Sequence, residues 1–342
     1  MRSPFARSRA LLTAVAVFLC ALLPSHANAQ LEVVRVALSL TTYSNLPIFL
    51  AADKGYFRDA GLDVQLTGFG GSSTAQIPRL ARGDTDMLAL ALGPAFFNQF
   101  SGGFNIRLLA TLEAQRTGWN NTSWLVVRQD LWDSKAIRQP KDLRGKIIDG
   151  AAEGSPLDLL ALTTIQQGGL TLNDVHYSQK FRDPPNWLTA FRNKAVDVQG
   201  LPEPIATQMD IQKIAHKWIG LSNVAPWFNE EFVAASPSFA QNHHDAVVRF
   251  LRAYLRAVHD VQRSNGRWTP ELVTSLAKWT SLPESTIRQI PGPAYPGDGS
   301  INNASVAHQE DFWHDRGLVT AIVPPGSFID STSLLEAMQP PK

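Results

Sequence analysis

The sequence predicts an α/β protein built as two doubly wound lobes. Three observations carry that expectation. β-branched runs alternate with segments of helical spacing through the first half of the chain, the β-α-β-α-β pattern of a mostly parallel sheet. A helix, a short polar turn and an aspartate entering an apolar strand occur twice, as "QIPRLARGDTDMLAL" (76–90) and "WLTAFRNKAVDVQGL" (187–201). Residues 30–342 are also long enough to divide into two cores.

The first 29 residues stand apart. Arg2, Arg7 and Arg9 make a positive start, 10–23 is an apolar run too short to span a bilayer, and Ala27-Asn28-Ala29 offers small residues for cleavage. This reads as a cleavable secretory signal peptide, with Gln30 as the expected mature start. Cys20, the one cysteine, lies in the apolar run behind Phe18 and Leu19, so a lipid anchor is not expected. The remainder has no cysteine, hence no disulfide, thiolate chemistry or cysteine-ligated metal. The formal charge of +1 for the whole chain falls to −2 once the three leader arginines are removed. No basic patch points to nucleic acid, and no charge run points to a tail.

The expected elements follow in order. Strands are read at 33–40, 62–66, 85–92 and 107–113, with helices at 48–61 and 74–82 between them; Gly61 and Gly83 supply the stops. The polar stretch 114–122 reads as a crossing between lobes. Strands at 123–128, 146–149, 175–179 and 195–201 then alternate with helices at 155–167 and 187–194. Beyond residue 240 the chain reads as helices at 245–264, 270–280, 283–290 and 303–316, separated by proline-rich breaks. Asp86 and Asp197 are expected to hydrogen-bond backbone at strand entry.

Several chemistries lack their parts. No G-x-S-x-G elbow is present, and neither "GFGGSST" (68–74) nor "AEGSPLD" (152–158) carries a phosphate-cradle lysine. His308, Asp311 and Asp315 could share one helix face, but one helix without supporting ligands does not make a metal site, and none is expected. Glu230-Glu231 has nothing that places it as an acid/base pair, and no catalytic residue is expected.

What remains are turns at the carboxyl ends of strands, where open α/β sheets bind ligands. These are 41–44, 70–74, Leu92-Gly93-Pro94 and, in the second half, 152–155. Free N–H groups, hydroxyls and the helix dipole at two such helix starts could hold one anion from both sides. Ser72, Ser73 and Ser155 are equally residues that cap helices, and the two roles are compatible. Tyr43, Trp119, Trp124, Trp187 and Trp227 fall in or beside loops, where rings could stack on a ligand or pack the loop.

The ordered set "KGYF…GLDV", "GGSST", L-x-x-G-x-x-D, "GP", "DLRGKIID…GSPLDLLAL", "GGLTLNDV", A-F-x-x-x-x-V-D and "PEP" resembles the nitrate/sulfonate/taurine class of ABC-transporter substrate-binding proteins, which also includes binders of thiamine pyrimidine precursors. The resemblance covers nearly all of residues 30–342. It implies a type II periplasmic-binding-protein fold, two α/β lobes joined by a hinge with a ligand cleft between them. Lobe 1 would take 30–120 plus 238–342, and lobe 2 would take 121–237.

The implied ligand residues are Thr42, Tyr43, Ser44, Ser72, Ser73, Gly93, Asn121, Thr122, Gly154 and Ser155, with Glu203 and Trp227 from the opposite wall. The implied role is a periplasmic, monomeric, non-enzymatic binder without cofactor. It would capture a small organic anion, a sulfonate or carboxylate with or without an aromatic body, and deliver it to an ABC permease driven by an ATPase. A sensor docking on a receptor, a pyrimidine-precursor binder or an enzyme on the same fold are the alternatives. No arginine falls inside the implied turns, and Glu153 beside the second helix start either opposes an anionic group, meets an amine or faces solvent.

Overall fold

A computed structural model describes residues 30–39, 42–69, 73–116, 121–181 and 184–340. Within it, the alternation read from the sequence resolves into two five-stranded sheets. The first contains β1 (Glu32–Ser39), β2 (Leu62–Phe69), β3 (Met87–Ala91), β4 (Arg107–Ala114) and, from far along the chain, β10 (Asn229–Ala235). Their order is β2-β1-β3-β10-β4. The second contains β5 (Ser123–Arg128), β6 (Ile147–Asp149), β7 (His176–Ser178), β8 (Val198–Pro202) and β9 (Ala215–Gly220), in the order β7-β6-β8-β5-β9. β1 and β3 pair in parallel, as do β6 and β8. β10 runs antiparallel to β3 and β4, and β5 runs antiparallel to β8 and β9.

The sequence reading is corrected at β10. The stretch 121–237 was expected to form the second lobe, yet its residues 229–235 insert between β3 and β4 of the first sheet. Phe232, Val233, Ala234 and Ala235 are buried, as a strand covered on both faces requires. Two short segments thus connect the sheets, one between β4 and β5 and one between β9 and β10. They lie side by side, with the Gln115 N–H donating to the Phe228 carbonyl at 2.7 Å.

Other departures have local causes. The helix read over 48–61 is two pieces, Leu46–Asp53 and Tyr56–Asp59, because Gly55 takes a left-handed φ of 72° between them. The helix read over 74–82 starts as a 3-10 turn, Ser73–Gln76, and is α-helical only over Ile77–Ala81.

Asp86 and Asp197 do what strand entry predicts, in matching fashion. Asp86 accepts from the Arg35 N–H of β1 at 2.8 Å, and Asp197 accepts from the Ile147 N–H of β6 at 2.9 Å. Each also pairs with an arginine, Arg35 and Arg128 respectively. The twice-repeated sequence unit is therefore a twice-repeated clamp between neighbouring parallel strands.

The long helix His244–Gln262 buries a continuous stripe, including Val247, Phe250, Leu251, Tyr254 and Val258, against the first sheet's helices. A second buried cluster contains residues of both sheets, among them Leu88 and Leu90 of β3 with Leu125 and Val127 of β5. Among the described residues, no helix is long and apolar enough to cross a membrane.

Candidate functional site

A cleft of about 180 Å³ opens where the carboxyl ends of the two sheets face each other. Thr42, Tyr43 and Ser44 reach it from the loop after β1, and Ala91 from the end of β3. Thr122 and Ser123 reach it from the crossing into β5, Ser155 to Leu157 from the turn after β6, and Pro202-Glu203 from the end of β8. Six of the twelve expected residues thus meet there: Thr42, Tyr43, Ser44, Thr122, Ser155 and Glu203.

The others have different places. Ser72 lies outside the described residues. Ser73 accepts from the Ala91 N–H at 3.0 Å, tying its turn to β3. Asn121 is buried and accepts from the Ser222 N–H at 2.7 Å, which fixes the crossing. Trp227 packs edge-on against His308 with ring centroids 4.3 Å apart, away from the cleft lining. Gly93 and Gly154 are where the turns of the two sheets meet. A Cβ on Gly93 would lie 2.9 Å from the Gly154 carbonyl oxygen, and one on Gly154 would lie 2.3 Å from Pro94. Of the other loop rings, Trp187 is core, Trp124 lies against Lys217, and Trp119 falls outside the described residues. Glu153 is exposed.

Of the expected two-sided anion clamp, residues 70–72 of the first half lie outside the described residues, and the second half is occupied from within the chain. The helix Pro156–Gln167 begins with a proline, which has no N–H to offer. Its Asp158 N–H is taken by the Ser155 hydroxyl at 3.2 Å, and the Gly154 N–H donates to the Asp158 carboxylate at 3.0 Å. Asp158 is buried and also accepts from Tyr177 and Gln179. An acid of the chain itself already sits at this helix start, where the dipole favours negative charge.

Instead, the cleft is lined by four glutamates: Glu113, Glu203, Glu230 and Glu231. Glu203 is neutralised locally. Its carboxylate accepts from Thr207 and from Lys217 at 3.2 Å, while the Lys217 ammonium also lies 4.8 Å from the Trp124 ring centre. Burial still pushes Glu203 upward against that attraction.

Among the described residues, the other three have hydroxyl and amide groups beside them and no ion pair to a cation. Glu230 accepts from Ser123 at 2.7 Å, Gln115 at 2.7 Å and Thr122 at 3.2 Å, so it stitches together both crossings. The Ser44 side chain acts to lower Glu231, and that of Thr122 to lower Glu113, each against burial. The Glu113 Oε1 is buried with no partner. No lysine, arginine or histidine lines the cleft among the described residues.

Two features of β10 bring this acidic group together. Glu231 stands directly opposite Glu113 in the antiparallel β10–β4 pair, a position where like charges repel. Two unit charges about 5 Å apart at an effective dielectric near 20 repel by roughly 3 kcal/mol. The register also shifts on either side of Glu231, the mark of a bulge, so that consecutive residues 230 and 231 both reach the cleft instead of alternating. The helix Asn303–His314 supports the bulge. Ser305 accepts the Asn229 N–H at 2.9 Å, and Gln309 donates to the Asn229 carbonyl at 2.9 Å, bracing the residue next to the bulge while it stays paired with Ala114.

Protonation follows from this geometry. Burial, then Glu230 and Glu231, hold Glu113 well above the usual carboxylate range. Desolvation raises Glu230 against its three donors. Burial, opposed by Ser44 and assisted by Glu230, pushes Glu231 up to about 7. Among the described residues, no group of three or more acidic, histidine or cysteine side chains is arranged to hold a metal ion.

Glu113 and Glu231 were not anticipated from the sequence as site residues, and Glu230-Glu231 stood out there only as an unplaced acid pair. The available signal was one glutamate in the strand run "LLATLEA" and two at the start of "NEEFVAA", each beside buried apolar residues.

Residues 43–264 match the family model described as NMT1/THI5 like. A Bacillus subtilis (strain 168) protein named for binding aliphatic sulfonates is 27% identical over 239 residues, 68% of this chain and 66% of that protein, just under two thirds of its length. Among solved structures, the alkanesulfonate-binding protein SsuA from Xanthomonas axonopodis pv. citri, bound to MOPS, superposes with a TM-score of 0.66 at 16% identity. That superposition covers 88% of this chain and 99% of that one. A mutant of DszB in complex with biphenyl-2-sulfinic acid superposes with a TM-score of 0.63 at 16% identity, covering 90% of this chain and 99% of that one. At these identities the structures share the fold, two α/β lobes of the periplasmic-binding-protein kind, while the family model covers well over half of the sequence: the chain belongs to the NMT1/THI5-like family.

Proposed function

We propose that this protein is the solute-capturing component of an ABC-type importer. It is exported to the periplasm, binds one small molecule between its two sheets, and presents it as a monomer to a membrane permease coupled to an ATPase. The observation that carries this reading is the cleft at the carboxyl ends of both sheets, flanked by two crossing segments about which the sheets could hinge. The ordered motifs shared with ABC-transporter binding proteins support it, as does a relative named as a binder.

An enzymatic reading by thiol chemistry lacks its nucleophile, because residues 30–342 contain no cysteine. A sensor that docks on a receptor differs only in its partner.

The test is a thermal-shift panel on protein comprising residues 30–342, with small sulfonates, carboxylates, nitrate, neutral pyrimidines and organic cations as separate arms. Stabilisation by one class is expected, since a ligand that binds only the native state raises stability by mass action. Silence across all arms, together with catalysed turnover of any member, overturns the reading. The organic anion expected from the sequence is one arm of this panel.

A further inference from the structure

The cleft has a charge problem that the fold does not solve internally. Glu113 and Glu231 oppose each other across β4 and β10, and Glu230 adjoins them. Glu113 is 8% exposed, and its Oε1 has no hydrogen-bond partner among the described residues. The groups that face these acids are hydroxyls and an amide: Ser44 from the β1 loop, Thr122 and Ser123 from the crossing, and Gln115 at the end of β4. The titratable neighbours Tyr43, Tyr254 and Tyr295 add no positive charge. Of the internal stretches outside the described residues, 40–41, 70–72 and 117–120 contain no charged residue, and 182–183 is Arg182-Asp183, one charge of each sign. The Lys217 ammonium, on the opposite wall, is engaged by Glu203 and Thr207.

Buried charges in folded proteins are paired or are neutralised by proton uptake. Here Glu113 and Glu231 both line the cavity, and no ion pair to either is formed among the described residues. At about 180 Å³ the space is below the usual range for drug-sized ligands, so a compact solute fits it.

We propose that the cleft takes a small organic cation, whose protonated amine or amidinium donates to Glu113 and Glu231, and that it does not take an organic anion. This rests on the solute-binding reading and narrows it to a ligand class. An ammonium offers three donors and an amidinium a planar fork, which suits two facing carboxylates. A sulfonate or carboxylate in the same place would add charge to three acids that have no ion pair among the described residues. The acids are not arranged to chelate a metal, which separates an organic cation from a metal ion.

The experiment is calorimetric titration of residues 30–342 at about pH 8 with n-butylammonium, acetamidinium and benzamidinium. Matched arms use butanesulfonate and butyrate, with zinc and calcium ions as a third set. At least one organic cation is expected to bind, with the anions silent. Glu113→Gln and Glu231→Gln are each expected to weaken that binding by about tenfold or more, the range for a charge-assisted hydrogen bond. Both variants keep size and shape and remove like-charge repulsion, so their melting temperatures without ligand should equal or exceed the parent's. Binding of an anion that either substitution leaves unchanged or tightens overturns the cation proposal and leaves the solute-binding reading standing. Binding of only the metal ions also overturns it. Silence from every arm also overturns the cation proposal, and the solute-binding reading is then decided by its own thermal-shift panel.

Discussion

Glu231 carries a pH dependence whose sign follows from its surroundings. Its carboxyl is held near 7 in the fold, against an ordinary value of 4.5. Between those values the native state binds more protons than the unfolded chain, so this residue's contribution to stability falls as pH rises from about 5 toward 7 and is flat above. The full difference amounts to about 3 kcal/mol. Glu231→Gln is therefore expected to stabilise the ligand-free protein relative to its parent at about pH 8 and to change little at about pH 5. Urea denaturation at both values measures this, and an equal effect at both would show that Glu231 does not titrate there. A bound cation reverses the parent's trend, because it favours the ionised acid.

The paired strand clamps give a comparative prediction for elements. Asp197 and Arg128 have side chains 14% and 12% exposed, whereas Arg35, opposite Asp86, is 49% exposed. Removing one partner of a desolvated pair strands the other, at a cost of up to about 3–5 kcal/mol, while solvent screens an exposed pair. Asp197→Ala should thus cost more than Asp86→Ala by about 1–2 kcal/mol in chemical denaturation. Both also lose the carboxylate's bond to a backbone N–H of the neighbouring strand, so both should destabilise. The reverse order would mean that exposure of the arginine does not govern the clamp.

These clamps were legible because a local helix–turn–aspartate pattern repeats. The position of β10 was not. Its burial depends on two strands more than a hundred residues upstream, and no local periodicity records such a partner.

For the molecule as a whole, the meeting of the two sheets turns on Gly93 and Gly154. Gly154 has φ of 72°, and any Cβ there would collide with Pro94 across the cleft mouth. Gly154→Ala combines about 1–2 kcal/mol of left-handed strain with a steric block to the approach of the turns. The variant is expected to fold, to lose about tenfold or more in ligand affinity, and to remain more expanded than the parent in small-angle scattering with ligand present. Unchanged compaction and affinity would mean that the turns need not meet.

From the sequence alone came the alternation of strands and helices, the duplicated unit and the loops after β1 and β6 that reach the cleft. Each is encoded in runs of adjacent residues, where period, turn chemistry and capping act locally. The lining chemistry came from the tertiary structure. Asp158 fills the helix start that was expected to receive an anion, and Glu113 and Glu231 become neighbours only through strand register. A bulge held from another helix turns Glu230 and Glu231 to the same side. Electrostatic character depends on which charges meet in low dielectric, and that is fixed by contacts far apart in the chain.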